Sequence, residues 1–137
     1  MKLYQVDAFT DVPFKGNPAG VHIGQDMLDA KFMQQIASEM NLAETAFVFN
    51  EASGYAIRFF TPTQEVPICG HATLSAAHIM YELGLVPLHQ KISFSSKSGI
   101  LSVQKQDHWY VLDFPKYESV QEGDHAAFSQ DTGIESA

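Results

Sequence analysis

Hydrophobic and polar positions change period several times along the chain, and each change marks an element. Residues 2–9 alternate, with Leu3, Gln5 and Asp7 opposite Tyr4, Val6 and Ala8, which predicts a strand. The turn-rich segment Asp11-Val12-Pro13-Phe14-Lys15-Gly16-Asn17-Pro18 follows, and then a short strand over residues 20–23. Asp26 or Asp29 supplies the N-cap of a helix running to about Met40. Its apolar positions Phe32, Ile36 and Met40, with Met33 and Ala37, recur at three and four residues. Strand-like runs come next at 45–49 and 55–60, with Gly54 in the turn between them.

The run Ala72-Thr73-Leu74-Ser75-Ala76-Ala77-His78-Ile79-Met80-Tyr81 carries no charge and has small or apolar residues on nearly every face. A helix with one solvent face keeps a polar stripe, so a helix over 71–83 is predicted to be enclosed on most sides. Gly84 ends it in the left-handed conformation and Pro87 keeps it ended. Three further strands are expected at 91–95, 99–105 and 108–114, with Asp107-His108 as a hairpin turn between the last two. Together these elements predict an α+β fold, a mixed sheet curling around one buried helix.

Composition narrows the functional classes. A chain of 137 residues, 45% hydrophobic and 12% aromatic, has the length and apolar content for one domain with a sizeable core. The net charge is −8 and the eight basic residues are scattered singly, which argues against a phosphate-backbone partner. No apolar run reaches membrane-spanning length, and the N-terminus turns polar too soon for a signal peptide. One cysteine rules out an internal disulfide, and the cytoplasm is the expected compartment. Residues 118–137 hold five acidic residues and neither lysine nor arginine. The expected organisation is therefore a lobe over 1–116 and an acidic linker or tail over 117–137.

Candidate chemistry lies in two patches. Glu44 follows a helix end and precedes an apolar strand. A partly desolvated carboxyl there has its pKa raised toward neutrality and suits a general acid or base; otherwise Glu44 caps, pairs or faces water. His71 stands beside Gly70 at the first turn of the buried helix, either as a proton carrier or as a hydrogen-bonded structural histidine. Cys69, at the same helix start, is either a thiol of lowered pKa acting as base or nucleophile, or a small buried residue. Asn17 is a turn residue or a substrate amide. The remaining histidines (His22, His78, His89, His108, His125) show no ligand spacing, so no metal site is expected. The glycines form neither a phosphate loop nor a dinucleotide fingerprint.

Five blocks carry a family resemblance. They are Val6-Asp7-Ala8-Phe9-Thr10, Phe14-Lys15-Gly16-Asn17-Pro18-Ala19, Asn41-Leu42-Ala43-Glu44-Thr45-Ala46-Phe47-Val48, Arg58-Phe59-Phe60-Thr61-Pro62 and Cys69-Gly70-His71-Ala72-Thr73-Leu74. In this order and spacing the chain resembles the N-terminal half of the PhzF (phenazine biosynthesis) family, related to diaminopimelate epimerase. The resemblance implies a barrel-like sheet around a central helix. It also implies a cofactor-independent isomerase that moves a proton on a small carboxylate metabolite. On that basis Glu44 is the general acid/base, His71 and Cys69 join it, and Asn17, Gly70, Ala72 and Thr73 bind substrate.

The family's second domain normally supplies an aspartate and a Gly-Ser segment, and no matching residues occur here. Cys69 sits where diaminopimelate epimerases keep one of two catalytic thiols, and the partner thiol is absent. A complementing second lobe or a homodimer is the expected partner. The competing expectation is a shortened, non-catalytic lobe that acts as a binding or self-association module; a cysteine-dependent hydrolase is a third.

Overall fold

The computed structural model describes residues 2–6, 18–52, 54–106 and 109–114. Ten elements follow one another: β1 (Tyr4–Val6), β2 (Ala19–Gly24), α1 (Ala30–Met40), β3 (Glu44–Glu51), β4 (Gly54–Phe60), β5 (Glu65–Val66), α2 (Gly70–Glu82), β6 (Ile92–Ser96), β7 (Gly99–Gln106) and β8 (Trp109–Asp113). The turn segment at 11–17, the Asp107-His108 turn and the acidic stretch at 117–137 lie outside the described residues.

All eight strands belong to one mixed sheet, in the order β1-β2-β3-β4-β6-β7-β8, with β5 paired to β4. Two neighbouring pairs are parallel, β2 with β3 and β4 with β6, and each is joined by a helical crossover. β4 runs antiparallel to β3 and so to β2, while both crossovers step in the same sense across the sheet. Crossovers of one hand must then place their helices on opposite faces. The two cores fall that way. Met33 and Ala37 of α1 pack with Phe47, Phe49 and Phe60 on the outer face. Leu74, Ala76, Ala77 and Met80 of α2 pack with Val21, Ala46, Val48, Ile57, Phe59, Phe94, Leu101 and Leu112 on the inner face.

β3 serves both cores by alternation: Ala46 and Val48 point inward, and Phe47 and Phe49 point outward. Helix α2 touches β2 and β3 on one side and β7 and β8 on the other, so the sheet curls around it. Eight of its side chains are buried, in keeping with the uncharged run from Ala72 to Tyr81. Its end is a Schellman motif. Gly84 has φ 74 and its N–H donates to Tyr81 O at 3.1 Å, while Leu85 N–H donates to Met80 O at 3.0 Å.

Two expectations need correction. Phe32 does not face the core; it is 44% exposed, because α1 meets the sheet only through the narrow strip of Met33, Ala37 and the partly buried Ile36. β5 was not expected at all: two residues carry no alternation, and the strand exists through its pairing of Val66 with Phe59 and Glu65 with Phe60.

Candidate active site

Sheet register brings the two chemical patches to one rim. Helix α1 is capped at its start by Asp29, whose carboxylate accepts from Lys31 N–H at 3.1 Å. It ends at Asn41, the only non-glycine residue with positive φ among the described residues (φ 53). Asparagine tolerates that conformation, and its N–H returns to Ala37 O at 3.0 Å. Three residues later Glu44 opens β3, paired with Ala19 of β2. Its place in the alternation, in step with Ala46 and Val48, puts it on the face that α2 occupies.

The next rung pairs Thr45 with Phe60, the last residue of β4. The chain then turns through 61–64, doubles back as β5 and enters α2. The start of α2 and the carboxylate of Glu44 therefore share one edge of the sheet.

The electrostatics agree with this placement. The Cys69 thiol is pushed up to about 11, first by burial and then by the Glu44 carboxylate, which faces it within hydrogen-bonding reach. The amides of Ala72 and His71 pull the other way. Burial and a neighbouring negative charge win, so the thiol stays protonated at neutral pH. This corrects the lowered-pKa reading of Cys69. A helix N-terminus does favour the thiolate, but Glu44 comes from 25 positions away in sequence and cannot be seen from the local motif.

One atom stands out. Oε1 of Glu44 is buried and has no hydrogen-bond partner among the described residues. A buried, unpaired carboxylate oxygen costs free energy, and such groups call for a role. Opposite it, α2 begins with no well-formed side-chain cap: Cys69 in the cap position makes no hydrogen bond of capping geometry, although the amides of His71 and Ala72 lie near its sulfur. The helix's own ladder starts with Thr73 N–H to Cys69 O at 3.0 Å, and the Thr73 hydroxyl donates to the same carbonyl at 2.7 Å. Ser75 likewise donates to His71 O at 3.0 Å. The Thr73 hydroxyl is thus engaged inside the helix, and what the first turn offers a ligand is backbone N–H. Ala72 is fully buried, whereas Gly70 and His71 are partly exposed.

Of the residues singled out in the sequence, Glu44, Cys69, Gly70, His71, Ala72 and Thr73 gather at this edge, and Asn17 lies outside the described residues. No group of three metal-ligating side chains occurs among the described residues. No described helix is long and apolar enough to cross a membrane.

A curled mixed sheet enclosing one largely apolar helix defines an epimerase-like α+β lobe. The fold matches a PhzC/PhzF phenazine-biosynthesis protein of Clostridium difficile with a TM-score of 0.75 at 43% identity, covering 84% of this chain and 44% of that one. It also matches a predicted epimerase of Pseudomonas aeruginosa with a TM-score of 0.68 at 25% identity, covering 81% of this chain and 42% of that one. The model of the phenazine biosynthesis-like (PhzC-PhzF) family matches residues 6–134, and the chain belongs to that family.

Among curated relatives, an uncharacterized isomerase of Halalkalibacterium halodurans is 51% identical over 120 residues, covering 88% of this chain and 45% of that protein. Another, from Pseudomonas aeruginosa, is 44% identical over 134 residues, covering 98% of this chain and 51% of that protein. The chain thus spans about half the length of these relatives.

Proposed function

We propose that this chain provides the acid/base lobe of a cofactor-independent isomerase that moves a proton on a small carboxylate metabolite. The observation that carries the reading is Oε1 of Glu44, buried and without a hydrogen-bond partner among the described residues, set against the start of α2. Family membership and relatives named isomerases support the reaction class.

Glu44 takes a proton from a carbon beside a carbonyl or π-system and returns it, on the same face, to a carbon two positions away. The anion that forms between the two steps is stabilised by the N–H groups at the mouth of α2, a contribution often worth several kcal/mol in such sites. Cys69, neutral at working pH, acts as a hydrogen-bond donor that orients the Glu44 carboxylate, with no role as a nucleophile. His71 and Gly70 line the approach, and Asn17 helps to hold the substrate.

The test is deuterium wash-in. Incubated in D2O with small carboxylates bearing an acidified C–H, the native chain incorporates label and Glu44→Gln does so at least about 100-fold more slowly, the lower end of the range for losing a general base. Equal rates in the two proteins would overturn the assignment.

A further inference from the structure

Without a side-chain cap, something other than capping must fix where the start of α2 stands. The chain segment that leads into it, residues 61–68, is tied down along its length. Thr61 accepts from the Gln34 side chain at 2.9 Å and Pro62 accepts from Ser38, so α1 holds the turn from the outer face. Inside the turn the Thr61 hydroxyl donates to Gln64 O and accepts from the N–H groups of Thr63 and Gln64. Ser98, in the turn between β6 and β7, donates to Pro67 O at 3.2 Å.

The central tie is Glu65. Arg58 grips both its oxygens, Nε to Oε2 at 2.8 Å and Nη2 to Oε1 at 2.8 Å, and Lys97 adds a third bond to Oε1 at 3.1 Å. The Arg58 and Glu65 side chains are only 18% and 19% exposed, and the Arg58 guanidinium also lies over the Phe60 ring. A bidentate, partly buried pair is directional as well as strong. Glu65 is four residues before Cys69, so the pair fixes the strap just upstream of the candidate site.

We propose that Glu65 is a positioning residue: locked by Arg58 and Lys97, it sets where the uncapped mouth of α2, with Cys69, stands against Glu44. The inference rests on the isomerase reading for its functional meaning, because a displacement of about 1 Å in a reacting group costs up to about 100-fold in rate. Its geometric content stands apart from any substrate.

Cys69 reports on that geometry directly. It is the sole cysteine of the chain, and the side-chain charge acting on its thiol is that of Glu44, with no contribution from Glu65. Any change at the thiol on removing the Glu65 charge must therefore pass through the strap.

The experiment is the pH dependence of iodoacetamide alkylation at Cys69 in the full chain, native and Glu65→Gln, with a thermal melt of each. The expected result is a cooperative melt in both and an alkylation midpoint that falls in Glu65→Gln from about 11 toward the ordinary thiol value of 9.0. A folded Glu65→Gln whose midpoint stays at about 11 overturns the proposal. Should Glu65→Gln lose its cooperative melt, Arg58→Lys, which keeps the cation but loses the bidentate grip on Glu65, is read the same way. An unmoved midpoint there overturns it equally. Failure of deuterium wash-in alongside a moved midpoint would instead count against the isomerase reading and leave the strap standing.

Discussion

Raising the pH should weaken the fold through Cys69 in a defined window. In the unfolded chain the thiol ionises near its ordinary 9.0, whereas in the folded chain it holds its proton to about 11. A group whose folded pKa is raised contributes stability that is fully present below pH 9 and is lost as the pH climbs toward 11. The two-unit difference corresponds to about 2.7 kcal/mol in the limit, and to about 2 kcal/mol of loss by pH 11.

Urea unfolding of the native chain and of Cys69→Ala at pH 8, 9, 10 and 11 isolates the effect. Tyr81 and Tyr110 are also pushed upward by burial, and their alkaline contributions cancel between the two proteins. The stability difference, native minus Cys69→Ala, should fall by about 2 kcal/mol across that range. In a Glu44→Gln background the fall should be smaller, because the carboxylate is one of the causes of the shift. A difference that stays flat with pH would refute both the burial of the thiol and its apposition to Glu44.

Two further outcomes follow from other parts of the structure. Thr45 is fully buried with an unpaired hydroxyl among the described residues, so Thr45→Val should stabilise the chain by about 1 kcal/mol in chemical denaturation. His78 bonds Tyr110 OH at 2.8 Å through Nδ1, and burial holds its pKa below the usual 6.5, against the raising effect of Glu82. Stability tied to neutral His78 is thus intact above 6.5 and lost as pH falls below it. NMR titration should place the His78 midpoint under that value.

Much of the fold could be read from the sequence where burial is one-sided or total. Helix α2 was legible because a run with no charge from Ala72 to Tyr81 leaves no face for water, and its observed span, Gly70–Glu82, is offset by one residue from the expected 71–83. β3 and β4 were legible as strands from their apolar runs. What periodicity does not encode is which helix covers which face. Phe32 fits a helical stripe as well as Met33 does, and only the contact with Phe47, Phe49 and Phe60 chooses between them. β5 depends on partners contributed by β4, so nothing within Glu65-Val66 announces it.

The site was half legible. A carboxylate after a helix end and an imidazole and thiol at a helix start are local patterns. The approach of Glu44 to Cys69 is a product of the Thr45–Phe60 rung and the turn back through β5. The protonation state of Cys69 went the other way from the local pattern for the same reason.

The division of β3 between two cores makes the chemistry hostage to parity. Inserting a single residue between Glu44 and Thr45 without shifting the rest of the strand would turn the carboxylate toward the α1 side, where phenylalanines wait and the mouth of α2 is out of reach. Two residues could be gained there with the carboxylate still facing inward. Changes of length between Asn41 and Glu44 leave that parity untouched, so the connection can vary as long as the acid keeps its step beside Thr45.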